Sequence, residues 1–486
     1  MKKFIKFLII FSFLMTCHIN AQTLPNLDNY NSTTLSDIQE QQLGKVFMRQ
    51  LNKQISINND PLISDYLNSI GNRIAEHANN HWTNFHFFVV NDPEINAFAG
   101  PGGYIGVNSG LILTTQSESE LAAALAHEIT HVNQHHIARS MSHVKNITLP
   151  SLAAFLVAIA VGGQTNSSTA IAAAMASLAG STQNMINFTR GNEEEADRIG
   201  IQTLYRAGFD PMAMSTFFRN MQRAAMNYRD RIPAYFKDHP VTDMRIADAE
   251  NRAKQYPREK INSSLNYYLT YARLKVAETT QNSSDAVDFF QNQLKNHTYV
   301  NLDATKYGYA LALLKAGKPN IAIQVINGLI TSNPDQVIYQ MALADTEIAN
   351  KHFQRAVKIL HDSLTLYPDY YPLIVQYAQT LLKTKQPNKA RLFLNEQTSN
   401  YPDDETLYKI LAKAQGESGY LAEAYQTRAK LYEFQGDLDM AIVQLQQALK
   451  LSSLDNDTNT IIKAKLESLK KLKTKVHRLM PAASWL

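Results

Sequence analysis

Cysteine is almost absent from this 486-residue chain; the single one is Cys17. Cys17 lies inside Met1–Ala21, which reads as a secretory signal peptide: basic Lys2 and Lys3, an apolar run from Phe7 to Met15, and Asn20-Ala21 at the cut. Cleavage there leaves no cysteine, which excludes a disulfide framework and the cysteine-rich structural zinc sites. A competing reading places a lipid on Cys17, against which stands the bulk of Thr16 before it. Long apolar runs are also lacking. No later stretch reaches the roughly 18 residues of a membrane span. Nor is there an excess of one charge. The formal net charge is +4, and without the three lysines of residues 1–21 it becomes 44 Lys and Arg against 43 Asp and Glu. With no long basic run either, a nucleic-acid partner is excluded.

What the chain does have is Leu121–Ala138, a helical pattern that contains His127-Glu128-Ile129-Thr130-His131. Ser117-x-x-Glu120 reads as the capping box that starts the helix. Residues four apart share a helix face, so both imidazoles point the same way, a spacing that suits two ligands of one zinc ion. Glu128, one position on, is turned from direct ligation and can take a proton from the attacking water. A ligand set of His127, His131 and His135 fails, because eight helical residues climb about 12 Å. His135, His136 and His143 are expected to be exposed.

The first domain, 22–258, opens with amphipathic helices over Ser36–Lys53 and Pro61–Ala78, the second capped by Asp60 with Pro61 at its first turn. Phe85–Val90 reads as a strand. Two further short strands around Asn96, Ala97 and Phe98 and around Tyr104–Val107 are joined by Pro101-Gly102-Gly103. That hairpin either packs under the histidine helix or offers an edge to an extended substrate backbone, with Asn96, Ala97 and Phe98 as the contact residues. The segment Leu152–Gly180 reads as a buried helical hairpin or as a flap touching membrane or covering the site.

A catalytic zinc site needs a third protein ligand. The helical segment Asn192–Ala207 turns Ala196, Ile199, Gly200, Thr203 and Ala207 inward. Glu193 falls on that buried side, whereas Glu194 and Glu195 lie toward solvent, as acidic residues at a helix start commonly do. Asp197, four on from Glu193, can orient a ligating imidazole through its free N–H. Further along, His239 either reaches the open metal position or the reacting carbonyl oxygen. Arg245 either holds substrate charge or pairs with an acidic neighbour.

Four elements, AHEITHV (126–132), EEEADRIG (193–200), NAFAGPGGYIGVNSGL (96–111) and HPVTDMRIADA (239–249), together resemble the M48 family of zinc metallopeptidases. The resemblance implies a zincin-like (gluzincin) α+β domain with a small β-sheet and one zinc ion per chain. The family's HExxH and ExxxD elements fall on His127, Glu128, His131, Glu193 and Asp197. Unlike membrane-embedded branches, this chain lacks long apolar helices and is similar to the exported ones.

From about residue 265 the chain repeats. Pro334-Asp335, Pro368-Asp369 and Pro402-Asp403 recur every 34 residues, as do Ala322, Ala356, Ala390 and Ala424, and Ala310, Ala344, Ala378 and Ala412. This is the tetratricopeptide pattern, a mainly α superhelix over 265–475 in about four to five units, whose concave face commonly holds protein or peptide. A spacer or dimer contact is the plainer reading. His297, His352 and His361 carry no assigned role. An M48 domain, such repeats and a signal peptide together resemble a periplasmic branch of the family. That implies docking on the outer-membrane β-barrel assembly machinery and hydrolysis of unfolded or misassembled proteins. The alternative is a periplasmic chaperone or adaptor that works through its repeats, with a latent metal site.

Overall fold

The computed structural model describes residues 37–78, 84–141, 149–161, 182–226, 233, 235–236, 239–279, 283–451 and 456–479. The signal segment, Cys17, His143 and residues 162–180 lie outside the described residues.

Two helices open the fold, α1 (Asp37–Leu51) and α2 (Pro61–His77), and Asp60 caps α2 by accepting from the Leu62 N–H. A three-stranded sheet follows: β1 (His86–Val90), β2 (Ala97–Ala99) and β3 (Tyr104–Asn108), in the order β1-β3-β2. β1 runs parallel to β3, and β2 antiparallel to it with Phe98 opposite Gly106. The Pro-Gly-Gly link makes one tight turn, in which Gly102 takes φ +76, a left-handed value that a side chain would strain.

Behind β3 come α3 (Ser109–Thr114) and α4 (Glu118–Asn133), the helix of the two histidines. Ser117 caps α4 by accepting from the Glu120 N–H, and Glu120 reaches back to the Gln116 N–H rather than to that of Ser117. Leu121 through Ala126 are wholly buried, so α4 is the central rod of the domain. Such a rod holds its side chains rigidly, because core packing leaves no alternative rotamers. Around it lie α5 (His136–Met141), α6 (Leu149–Ala160), α7 (Thr182–Arg206), α8 (Ala213–Ala225) and α9 (Asp243–Ala253). α6 packs with α1 and with Phe88, Val90 and Phe98 of the sheet, so one face of the described part of the Leu152–Gly180 segment is buried, while Ala154 and Ile159 stay exposed. Gly200 of α7 sits where a methyl group would press on Met214 and meet the α4 backbone at Ala126 and His127. That close approach sets the distance between the two helices that carry the site.

The remaining helices follow one another in twos: α10 and α11 (Leu265–Glu278, Ser283–Asn296), α12 and α13 (Leu302–Lys315, Pro319–Ser332), and α14 and α15 (Val337–Ala349, Phe353–Leu366). Next come α16 and α17 (Tyr371–Lys383, Pro387–Asn400), α18 and α19 (Glu405–Glu417, Leu421–Phe434), and α20 and α21 (Leu438–Leu449, Asn456–Leu479). The described residues thus contain six pairs. Those at either end lack the Pro-Asp signal that marks the middle ones. Both alanine series are buried, as close helix approach requires. The array also enters the first domain. Tyr267 and Leu274 of α10 belong to the same core as α4, and Leu62 of α2 belongs to the core of the first repeats. Tyr267 donates to the Thr115 carbonyl, the Glu118 carboxylate accepts from Ser264, and Arg273 pairs with Asp60.

Candidate metal centre

One exposed turn of α4 would leave its imidazoles in water; here the helix is buried and α7 and His239 close over it. His127 Nε2 lies 3.0 Å from His131 Nε2 and 3.2 Å from His239 Nδ1. Glu193 brings Oε2 to 3.4 Å from His127 Nε2 and Oε1 to 3.4 Å from His131 Nε2. His239 Nδ1 is 3.1 Å from both Glu193 oxygens. One ligand atom from each of His127, His131, Glu193 and His239 falls within a 4.8 Å group. Ligand atoms about 2.1 Å from a tetrahedral ion stand about 3.4 Å apart, so these separations fit a metal ion. The charges fit as well. Glu128, Glu193 and Asp197 share this buried space with one permanent cation, Arg245. A divalent cation answers that deficit.

Glu128 is 1% exposed, and neither carboxylate oxygen has a hydrogen-bond partner among the described residues. His239 Nε2 is 3.6 Å from its Oε1. Buried acceptors are normally satisfied, so this carboxylate is an open acceptor for a water or substrate proton.

Behind the cluster, His127 Nδ1 lies 3.0 Å from Asp197 Oδ1. Arg245 grips Asp197 with two hydrogen bonds, Nε to Oδ2 at 2.7 Å and Nη2 to Oδ1 at 2.8 Å. Its Nη1 donates to the Pro240 carbonyl and stands 3.0 Å from Glu193 Oε2. Every donor end of Arg245 is thereby engaged and the side chain is buried. The expectation that it holds a substrate carboxylate or oxyanion is corrected: acidic neighbours consume it, the other option its sequence context left open. The electrostatics agree. Burial opposes charge on His127, but Asp197 and Glu193 outweigh it and raise its pKa to about 10. Burial and the His127 charge push His131 well below the usual imidazole value. Burial would raise Glu193 and Asp197, yet His239 and His127 hold the first well below the carboxylate range, and Arg245 with His127 lowers the second.

Of the three substrate residues expected on the hairpin, Asn96 donates its side-chain amide to the Ala160 carbonyl and is buried. Phe98 turns its ring into the core against Phe88. Neither side chain faces a groove, because both fill the space between the sheet and α6. The hairpin backbone differs. Asn96 accepts from Asn108 and Gly100 donates to Tyr104, so in this register Ala97 and Ala99 direct their main-chain groups away from β3, at the sheet edge.

Two residues near the cluster gave no legible signal. Tyr235 is wholly buried, tilted against His239 with ring centroids 5.1 Å apart. His136, expected to be exposed, is buried with its Nδ1 2.8 Å from His131 Nδ1. Glu195, expected toward solvent, meets His136 Nε2 at 3.2 Å.

Known proteins share this arrangement of parts. Residues 61–253 match peptidase family M48, and residues 347–415 and 422–453 match tetratricopeptide repeats. A beta-barrel assembly-enhancing protease of Escherichia coli O157:H7 is 35% identical over 458 residues, 93% of this chain and 92% of its own. A protein of the same description from Yersinia pestis is 33% identical over 435 residues, 89% of each chain. The mitochondrial metalloendopeptidase OMA1 of Schizosaccharomyces pombe is 31% identical over 169 residues, 33% of this chain and 44% of its own. The mutual coverage of the bacterial relatives extends through both domains, and the chain belongs to peptidase family M48: it is a metalloendopeptidase with a tetratricopeptide-repeat array at its C-terminal end.

Proposed function

We propose that the chain is an exported zinc endopeptidase that hydrolyses misfolded or stalled outer-membrane proteins in the periplasm, its repeats docking on the β-barrel assembly machinery. The observation that carries the enzymatic part is the convergence of His127, His131 and Glu193 beside the buried Glu128, whose carboxylate oxygens have no hydrogen-bond partner among the described residues. The printed description of the bacterial relatives supports the barrel-assembly part. The signal-like residues 1–21 support export.

His127, His131 and Glu193 would hold the ion. When bound, zinc would supply Lewis acidity, polarising a carbonyl and lowering the pKa of a water toward about 7. Glu128 accepts the proton of the attacking water and hands it to the leaving amine. Asp197, clamped by Arg245, fixes the His127 ring. The main-chain groups of Ala97 and Ala99 that point away from β3 pair with the backbone of an extended peptide, which holds the scissile bond still. Burial excludes bulk water from Glu128 and keeps the proton transfer directed. The Glu128→Gln chain should retain its metal and lose about 10²–10⁴-fold in casein cleavage. Wild-type cleavage by that variant would remove Glu128 from the mechanism.

A second reading, a chaperone or adaptor with a latent metal site, draws on His239. Three imidazoles and a carboxylate make four ligands, and a catalytic zinc site keeps one position open. In that reading His239 closes the site, and His239→Ala raises casein cleavage above wild type. A fall in cleavage instead assigns His239 to oxyanion stabilisation.

A further inference from the structure

His131 faces the ligand cluster with Nε2, and its other ring nitrogen meets a second imidazole rather than a carboxylate or carbonyl. Nδ1 of His131 and Nδ1 of His136 are 2.8 Å apart, with the rings edge to face at 4.8 Å between centroids. His136 Nε2 is 3.2 Å from Glu195 Oε2, and Arg139 Nη1 is 3.2 Å from the same oxygen. The His136 side chain is 4% exposed and that of Glu195 22%. The chain reaches this arrangement by ending α4 at Asn133 and passing through His135 at φ +50, which turns His136 back onto His131.

We propose that Glu195 and His136 form a relay that fixes the tautomer and ring orientation of His131 for metal binding. This inference rests on the metal reading of the preceding section. A ligating imidazole offers the lone pair of one nitrogen and carries its proton on the other. With Nε2 of His131 given to the metal, its proton sits on Nδ1 and donates to Nδ1 of His136. That nitrogen must then be bare, so the proton of His136 sits on Nε2 and donates to Glu195. Each bond dictates the direction of the next, and the carboxylate ends the sequence. Arg139 holds Glu195 as Arg245 holds Asp197. The two α4 histidines are thus braced from the same stretch of α7, His127 by a carboxylate directly and His131 through an intervening ring. His136 and Glu195 are positioning residues; neither belongs to the group of ligand atoms.

The test measures zinc dissociation from the full-length chain by competition with a chromophoric chelator, in wild type, His136→Leu, His136→Gln, Glu195→Ala and the double variant His136→Leu/Glu195→Ala. Removing a partner of a ligating histidine typically weakens metal binding by about 10–100-fold, and that loss is expected for His136→Leu. His136→Gln, whose carbonyl can accept from Nδ1–H, should recover most of it. Glu195→Ala, a change at a partly exposed side chain, should weaken binding less. The double variant should bind no more weakly than His136→Leu alone, because Glu195 acts only through His136. The His131 Nδ1–H resonance of the zinc-loaded chain should vanish in His136→Leu and return in His136→Gln. Zinc binding unchanged in His136→Leu, or single losses that simply add in the double variant, overturns the relay while leaving the metal site intact. A wild-type chain that binds no zinc overturns the metal reading and the relay with it.

Discussion

Arg245 concentrates the residue-scale argument. It is the permanent cation between Asp197 and Glu193, both buried, and its ring neighbour is Phe218 at 4.8 Å. Removing one member of a buried charge pair leaves the other uncompensated, at about 3–5 kcal/mol. Arg245→Leu should therefore lower the unfolding free energy by that amount in urea titration of the metal-free chain. A loss below about 1 kcal/mol, the scale of an exposed pair, would mean that Asp197 does not depend on it. That His127, His131 and Glu193 come together was readable at this scale because the i, i+4 spacing and the inward stripe of α7 are local properties. His136 was not. A helical pattern continued through Ala138 turns it outward, whereas the helix stops at Asn133 and His135 takes a left-handed conformation. Tyr235 was hidden for a related reason: its contact with His239 is a matter of tertiary packing, which no periodicity encodes.

At the scale of elements, the helix pairs follow from a period of 34 and two small-residue positions, and the structure shows why the small residues are needed. Ala378 and Ala390 are wholly buried between α16 and α17 and their neighbours. A leucine there has no free volume to occupy. Ala378→Leu should destabilise the repeats by about 1–3 kcal/mol with the metal content of the chain unchanged, read by thermal unfolding beside zinc analysis. An equally stable variant would show that the interface is looser than its burial indicates. The sheet was legible in its strands and the Pro-Gly-Gly turn but not in its use of side chains. Asn96 and Phe98 face inward because α6 covers them, and the fate of α6 depended on packing partners distant in sequence, in the sheet and in α1.

For the whole molecule, contacts cross the division at residues 258–265 that the onset of the repeats suggests. Tyr267 and Leu274, from the first repeat helix, complete the core that surrounds α4, and Glu118 at the start of α4 is tied to Ser264. Removing 265–486 therefore exposes core rather than a finished surface. A chain ending at residue 258 should lack a cooperative unfolding transition by circular dichroism. A sharp transition with full zinc content would show the peptidase domain to be independent of the repeats. The same contacts join α10 to the N-terminal end of the helix that carries both histidines. At the far end, Arg49 of α1 meets Asp437 at 3.9 Å, so the last repeats return to the first domain.

The central claim is that one divalent ion sits among α4, α7 and His239. Anomalous diffraction at the zinc edge from crystals of the purified full-length chain tests it most directly. A single peak bounded by His127 Nε2, His131 Nε2 and a Glu193 oxygen is the predicted result. A zinc-replete crystal with its peak elsewhere, or with Glu193 turned away from it, would contradict the account.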